Sequence, residues 1–294
     1  MLLASAQLVQ TVSPAPAVWQ PSGPTPARLD PLLDRMAPAT LAELDAVALL
    51  NRIDTKFLLT VPQLAEILPR LARDYRVLEV GGRRLHQYRT LYFDTPDFAL
   101  YRLHGSGGAI RHKVRSRAYV DSGLTFFEIK SKTRDRRTIK HRLATSELVT
   151  AWTMETSAFV QCHLGPGSPA LQPTLSNDFL RVTLMDRRSS ERLTLDLNVQ
   201  FDCDGRTAVL PGIAIAELKQ GDAGGRSPFA EQMRRLGAHP TGVSKYCVGV
   251  GLLVADVEHE TAAPMLAAIE RLTRGAPAEL LPAVPATDRI ASRG

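Results

Sequence analysis

Residues 108–142 read GAIRHKVRSRAYVDSGLTFFEIKSKTRDRRTIKHR and carry eleven Lys or Arg against three Asp or Glu. The bases alternate with apolar or small residues instead of forming a block, and side chains two apart on a β-strand share a face. A strand over Ile110–Val120 therefore puts Arg111, Lys113, Arg115 and Arg117 together, opposite Ile110, His112, Val114, Ser116 and Ala118. A second over Leu124–Lys132 groups Glu128, Lys130 and Lys132, opposite Phe127, Ile129 and Ser131. A third is expected over Thr138–Leu143, carrying Lys140 and Arg142, with turns at VDSG and TRDR joining the three.

A basic strand face is ordinarily a solvated one, but such faces mix signs so that cross-strand pairs attract. Here like charges would stand opposite each other and destabilise the sheet unless an anion neutralised them. The pattern recurs elsewhere, in Arg52 with Lys56, in Arg181, in Arg192, and in Glu217 with Lys219. If these strands close into a barrel with the basic faces inward, the lumen holds about ten cations and suits a chain of phosphates, gripped by Arg forks and Lys point charges. Glu128, Glu217 and Asp54 then become candidate metal ligands, since Mg²⁺ or Mn²⁺ takes one or two carboxylates and completes its shell with phosphate oxygens.

The rest of the chain agrees with a folded sheet protein. Its 294 residues are 44% hydrophobic, enough for a real core, and 36 Lys plus Arg against 30 Asp plus Glu give a net charge of +6 and an anionic partner. Cys162, Cys203 and Cys247 form no CxxC pair and have no His at zinc spacing, so neither a disulfide framework nor structural zinc is expected and a reducing cytoplasm fits. The first residues lack a basic segment before their apolar stretch, and no run of about eighteen apolar residues occurs, so a soluble chain without membrane insertion is expected. Residues 1–37, rich in Pro, Ala and Ser, are expected to be a disordered tail; 38–255 the folded domain; and 256–294 a helix followed by a second tail.

Within that domain Thr40 and Glu43 have capping-box spacing ahead of a short helix. Arg52–Thr60 reads as a strand, PQLAEILPRLARDY as an amphipathic helix, HQYRTLYFDT as a strand and PDFALYRLH as a short helix, with Gly105, Gly107 and Gly108 breaking the chain. Residues 145–170 read as helix then loop; a hairpin follows with its turn near Arg188–Glu191, then a strand at IAIAELKQ and a helix at PFAEQMRRLG. Seven or eight strands joined mostly by hairpins give an α+β fold, an antiparallel β-barrel or tunnel with helices packed outside.

Nine segments in order, RIDTKFLLT, TLYFDTPDFALY, RHKVRSRAY, FFEIKSK, RRTIKHR, DFLRVTL, ERLTLDLNV, AIAELK and GVSKYCVG, resemble the VTC domain, the polyphosphate polymerase domain of the vacuolar transporter chaperone family and a branch of the triphosphate tunnel metalloenzymes. The resemblance implies an antiparallel β-tunnel that binds ATP and inorganic polyphosphate with Mn²⁺ or Mg²⁺ and moves the γ-phosphate onto a growing chain, with a membrane protein as a possible partner. Carried over by position, it implies roles for Lys56, Arg115 with Arg117, Lys130, Lys140, Arg181, Arg192, the metal-binding Glu217, and the pair Ser244 and Lys245. Arg52, Arg111, Lys113, Lys132, Arg142 and Lys219 share the same faces and are expected to bind substrate. The wider superfamily opens with Glu-x-Glu-x-Lys where this chain has Arg52, Asp54 and Lys56, a departure that argues against its phosphatase and cyclase branches.

Phosphoryl transfer needs positioning and charge stabilisation more than a covalent nucleophile, so His86, His104, His112 and His141 are not expected to be catalysts. Three other readings compete: hydrolysis of a triphosphate in the same tunnel, a non-catalytic polyphosphate-binding tunnel, and nucleic-acid binding. The last requires aromatics interleaved with the bases, whereas Phe126 and Phe127 read as core and Tyr119 stands nearly alone.

Overall fold

The computed structural model describes residues 29–46, 52–105, 110–133, 138–221 and 226–274. Residues 1–28 of the tail expected over 1–37, the C-terminal tail at 275–294, Gly107 with Gly108, and most of the TRDR turn lie outside the described residues, as does the side chain of Arg52.

The strands are β1 (Pro38–Ala39), β2 (Arg52–Thr60), β3 (Tyr75–Leu78), β4 (His86–Asp94), β5 (Arg111–Tyr119), β6 (Leu124–Lys132), β7 (Thr138–Thr145), β8 (Gln172–Asp186), β9 (Arg192–Cys203), β10 (Arg206–Leu210) and β11 (Ile213–Gly221). Eight form one continuous path, β2-β11-β9-β8-β4-β5-β6-β7, with every neighbouring pair antiparallel. Among the described residues β2 and β7 do not pair with each other. The sheet therefore curls around a lumen without closing into the hydrogen-bonded barrel expected from the sequence.

Alternation along each strand decides what lies on either side of the curl. On the convex side Phe57, Leu59, Val182, Leu184, Leu193, Leu195, Ala214 and Ala216 pack under α1 (Asp30–Asp34), α3 (Val61–Leu71) and α6 (Pro228–Arg235). The capping box of Thr60 and Gln63 starts α3 directly from β2, and Leu64, Ile67, Leu68 and Leu71 form its buried stripe. A second convex core joins Phe93, Val114, Phe127 and Ile129 to α5 (Met154–Leu164). Leu29, Leu33 and Met36 are buried in the first core. Residues 29–36 thus belong to the domain and not to a tail, because the LxxxLxxM spacing supplies an apolar stripe despite the surrounding prolines.

The concave side is filled at one end by an element that no periodicity announces. Helix α7 (Lys245–Leu253) has the sequence KYCVGVGLL and buries Tyr246, Cys247, Val248, Gly249, Val250 and Leu253 against Leu58, Tyr92, Leu175, Phe179, Val199, Phe201 and Ile215. A helix that is apolar all round has no stripe for sequence analysis to detect. Its approach to the sheet needs glycine: a Cβ on Gly249 would lie 2.5 Å from Leu175 Cδ2 and 2.7 Å from Phe201 Cδ1. Helix α8 (Ala263–Arg274) packs behind it through Met265, Leu266 and Ile269.

Candidate functional site

Strand register carries one layer of polar side chains around the concave face. Lys56 stands opposite Glu217 and Asp54 opposite Lys219; Glu217 faces Thr194; Arg181 faces Asp196 on one side and His86 on the other. Farther round, Thr90 faces Arg117 and Tyr92 faces Arg115, Arg115 faces Glu128, and Lys113 faces Lys130, while Arg142 and Lys140 follow on β7. The expectation that alternate basic side chains of separate strands converge on one enclosed face is met at these positions.

Three carboxylates organise these cations. Glu128, at 0% exposure, accepts from Arg115 Nε at 2.8 Å and Nη2 at 2.6 Å, from Lys140 at 2.6 Å and from Arg142 Nε at 2.9 Å. Burial alone would raise its pKa, but Arg115, Lys140 and Arg117 together hold the carboxyl well below the ordinary range. Asp196, at 2% exposure, accepts Arg181 Nε at 2.5 Å and Nη2 at 2.8 Å and also binds the Lys245 ammonium. Glu217 pairs with Lys219 and lies 3.9 Å from Lys56 Nζ.

The loop entering α7 forms the floor of the lumen. Lys56 Nζ donates to the Val243 carbonyl at 2.7 Å, Lys113 Nζ to Ser244 Oγ at 2.9 Å, and Lys245 to Asp196. Ser244 is also the helix cap, accepting from the Cys247 N–H. Tyr246 completes the anchoring by hydrogen-bonding the buried Asp94.

Burial without a full complement of anions depresses the lysines. Lys113 is lowered to about 7, first by burial and then by Lys56, Lys130 and Arg115, even though Cys247 opposes the shift. Lys130 is lowered to about 8, again first by burial, and it makes no hydrogen bond to a carboxylate among the described residues.

A family model for the VTC domain matches residues 51–254, more than half of the chain. The chain belongs to the VTC domain family. Membership supports a phosphoryl-related function in a triphosphate-binding tunnel, in line with the motif resemblance. No curated protein sequence matches the chain. Among solved structures, a putative adenylate cyclase from Bacillus halodurans aligns with a TM-score of 0.41 at 14% identity, covering 66% of this chain and 94% of that one. A putative adenylyl cyclase from Hippeastrum, described as having a dominant triphosphatase activity, aligns with a TM-score of 0.42 at 15% identity over 71% of this chain and 99% of that one. A Pyrococcus horikoshii protein aligns with a TM-score of 0.34 at 12% identity over 63% of this chain and 90% of that one.

Within this VTC domain the sequence-derived candidates do not all stand alike. Arg111 donates to the His104 carbonyl at 3.4 Å, and Arg192, opposite Lys219, is held by the Leu44 carbonyl of α2 (Leu41–Ala46), away from the floor. Lys132 lies beyond Lys130 on the same face of β6, opposite Arg111. Both oxygens of Glu128 are occupied by cations, so it does not fit a metal. Glu217 and Asp54 are carboxylates of adjacent strands on one face, each opposite a lysine and Glu217 paired with Lys219, so an ion held there would need phosphate oxygens to complete its shell; among the described residues no cluster of three His, Cys, Asp or Glu is placed to hold an ion unaided. His112 bonds Ser131, and His141 stacks on His163 of α5 on the convex side. Sequence reasoning missed Asp196, and also Phe179 and Tyr88, over which the Arg181 guanidinium sits at 5.2 and 4.8 Å from the ring centroids. The only signal for Asp196 was a lone acid inside the apolar run RLTLDLNV.

Proposed function

We propose that this VTC domain is a polyphosphate polymerase that transfers the γ-phosphate of ATP to inorganic polyphosphate, with Mn²⁺ or Mg²⁺ as cofactor. The observation that supports it best is the charge imbalance of one enclosed face. The buried Glu128 and Asp196 and the half-buried Glu217 tie down Arg115, Lys140, Arg142, Arg181, Lys245 and Lys219, while Arg117, Lys113 and Lys130 are left without a carboxylate partner among the described residues. A face built that way is completed by a linked polyanion.

In this reading Arg115, Arg117 and Arg181 hold the acceptor chain through bidentate forks, and Lys56, Lys113, Lys130 and Lys245 neutralise the transferring phosphoryl group and its donor. A divalent ion bound by Glu217 and Asp54 would supply further charge neutralisation across donor phosphates. Arg117 is preset by its bond to Thr90 at 3.1 Å, and the rigid floor at Ser244 limits how far phosphates penetrate. No side-chain nucleophile is required, since the attacking atom is an oxygen of the chain's terminal phosphate. Among the described residues no helix is long and apolar enough to cross a membrane, and all three cysteines are free thiols; with ATP as donor, this supports a cytoplasmic site of action.

Incubating the protein with ATP and Mn²⁺ and resolving the products on a polyphosphate gel tests the proposal. Long polyphosphate with matching ADP is the expected result. Orthophosphate alone would replace polymerisation with hydrolysis, and no turnover with retained polyphosphate binding would indicate a binding tunnel. A second expectation concerns protons. Because Lys113 and Lys130 are depressed to about 7 and about 8 in the free protein, a bound polyanion raises them, so tripolyphosphate binding at pH 8 should take protons up. Calorimetry in buffers of different ionisation enthalpy reads that uptake directly; zero uptake would mean that neither lysine meets the ligand.

A further inference from the structure

Asp196 on the concave face touches a strand cation and a helix cation at once, Arg181 of β8 and Lys245 of α7. It sits between Leu195 and Leu197, which are buried in the convex core, so its side chain alone points inward. Two residues later the pairing of β8 and β9 shifts register, with Asn198 taking a left-handed φ of 49°. Asparagine tolerates that region better than most residues, and such a bulge turns the strand locally and re-aims its side chains.

We infer that Asp196 is a positioning residue for the phosphate site: its single carboxylate fixes both the guanidinium plane of Arg181 on β8 and the ammonium of Lys245 on the first turn of α7. The fork takes Arg181 Nε and Nη2 at 2.5 and 2.8 Å, which leaves the Nη1 donors for another anion. The flat guanidinium is held from its face by Phe179 and Tyr88, and Lys245 Nζ lies 4.4 Å from the Phe179 centroid. Neither cation can swing without leaving both the carboxylate and the ring. Asp196 has no free edge of its own at this site, so it acts through its two partners and does not contact substrate.

The same carboxylate sets the charge of Lys245. The groups around that ammonium are Asp196 from β9, Arg181 and Phe179 from β8, and Lys56 from β2, with Lys113 of β5 on the adjoining Ser244. Burial, Arg181 and Lys56 push Lys245 down to about 8, and Asp196 is the group that opposes them. Without it the ammonium loses its proton at a lower pH.

This inference rests on phosphates occupying the lumen, and the test separates the two. The affinity of inorganic tripolyphosphate for the full chain is measured by calorimetry from pH 6 to pH 10, for wild type, Asp196→Asn and Asp196→Glu. Wild type should bind, weakening on the alkaline side. Asp196→Asn should move that alkaline limb about one unit lower. Asp196→Glu keeps the charge and so the limb, but displaces both cations and should bind about tenfold more weakly at pH 7, the loss of about one charge-assisted hydrogen bond. A purely structural carboxylate would lower the melting temperature of both variants and leave the pH limb in place. If wild type itself fails to bind, the phosphate reading falls together with this one. If wild type binds and Asp196→Glu binds equally well, the positioning role alone is overturned; should Asp196→Asn fail to fold, the Glu variant still decides.

Discussion

Replacing Glu128 by glutamine is expected to lower folding stability by about 3–5 kcal/mol, because it removes the buried charge that compensates the enclosed Arg115. For a domain of this size that corresponds to a fall in melting temperature of roughly 6–20 °C. Arg115 of β5 and Lys140 and Arg142 of β7 all end on this one carboxylate of the strand between them, and Arg117 contributes to its field. The pH dependence has a definite sign. Glu128 is held below its ordinary value in the folded state, so its contribution is present above the unfolded carboxylate pKa and is lost as pH falls through the lower folded one. Wild type should therefore lose stability in the acid range below about pH 4, and the Gln variant should show less of that dependence. Tripolyphosphate should restore more melting temperature to the variant than it adds to wild type, since the ligand supplies the missing negative charge. Equal melting temperatures for the two proteins would show that the carboxylate is not what holds the cations of β5 and β7 together.

Lys130→Met should behave in the opposite way. Turnover is expected to fall by about 10²–10³-fold, the effect of removing one preorganised charge from the transition state, while the melting temperature stays level or rises. Lys130 is depressed to about 8, first by burial; Glu217 and Asp54 attract it, but Lys56 and Arg115 repel it and the attraction does not restore its ordinary value. A group kept in so unfavourable a setting serves something other than the fold. Steady-state assays of ATP consumption beside thermal melts would check both halves. A less than tenfold change in turnover would remove Lys130 from the transferring phosphoryl group and leave it, at most, a contact for the distal chain.

Legibility in the sequence followed the periodicity of each element. The β5–β6–β7 alternation was plain, and Arg111, Lys113, Arg115, Arg117, Glu128, Lys130 and Lys140 fell on the face it assigned. The short strands β1, β3 and β10 escaped, because two to five residues hold too little alternation to count, and β1 joins the sheet only through β3, which pairs with β8. Helix α7 escaped because its face is apolar on every side.

The acids separate the two kinds of information most clearly. Strand alternation grouped Glu128, Glu217 and Asp54 as metal candidates on the basic faces, yet Glu128 is saturated by Arg115 of β5 and by Lys140 and Arg142 of β7. Asp196 looked like a stray charge in an apolar strand until Arg181 and Lys245, from elsewhere in the chain, were seen to end on it.

By itself the sequence determined which side chains share a face and that one face carries excess positive charge, because a strand's two-residue period is a local property of the backbone. Only the tertiary structure decided that the sheet curls without sealing, that α7 forms a floor, and which carboxylate neutralises which cation. Those outcomes depend on register and on contacts between residues far apart in the chain, and a one-residue slip in register would have sent every one of these charges to the opposite side.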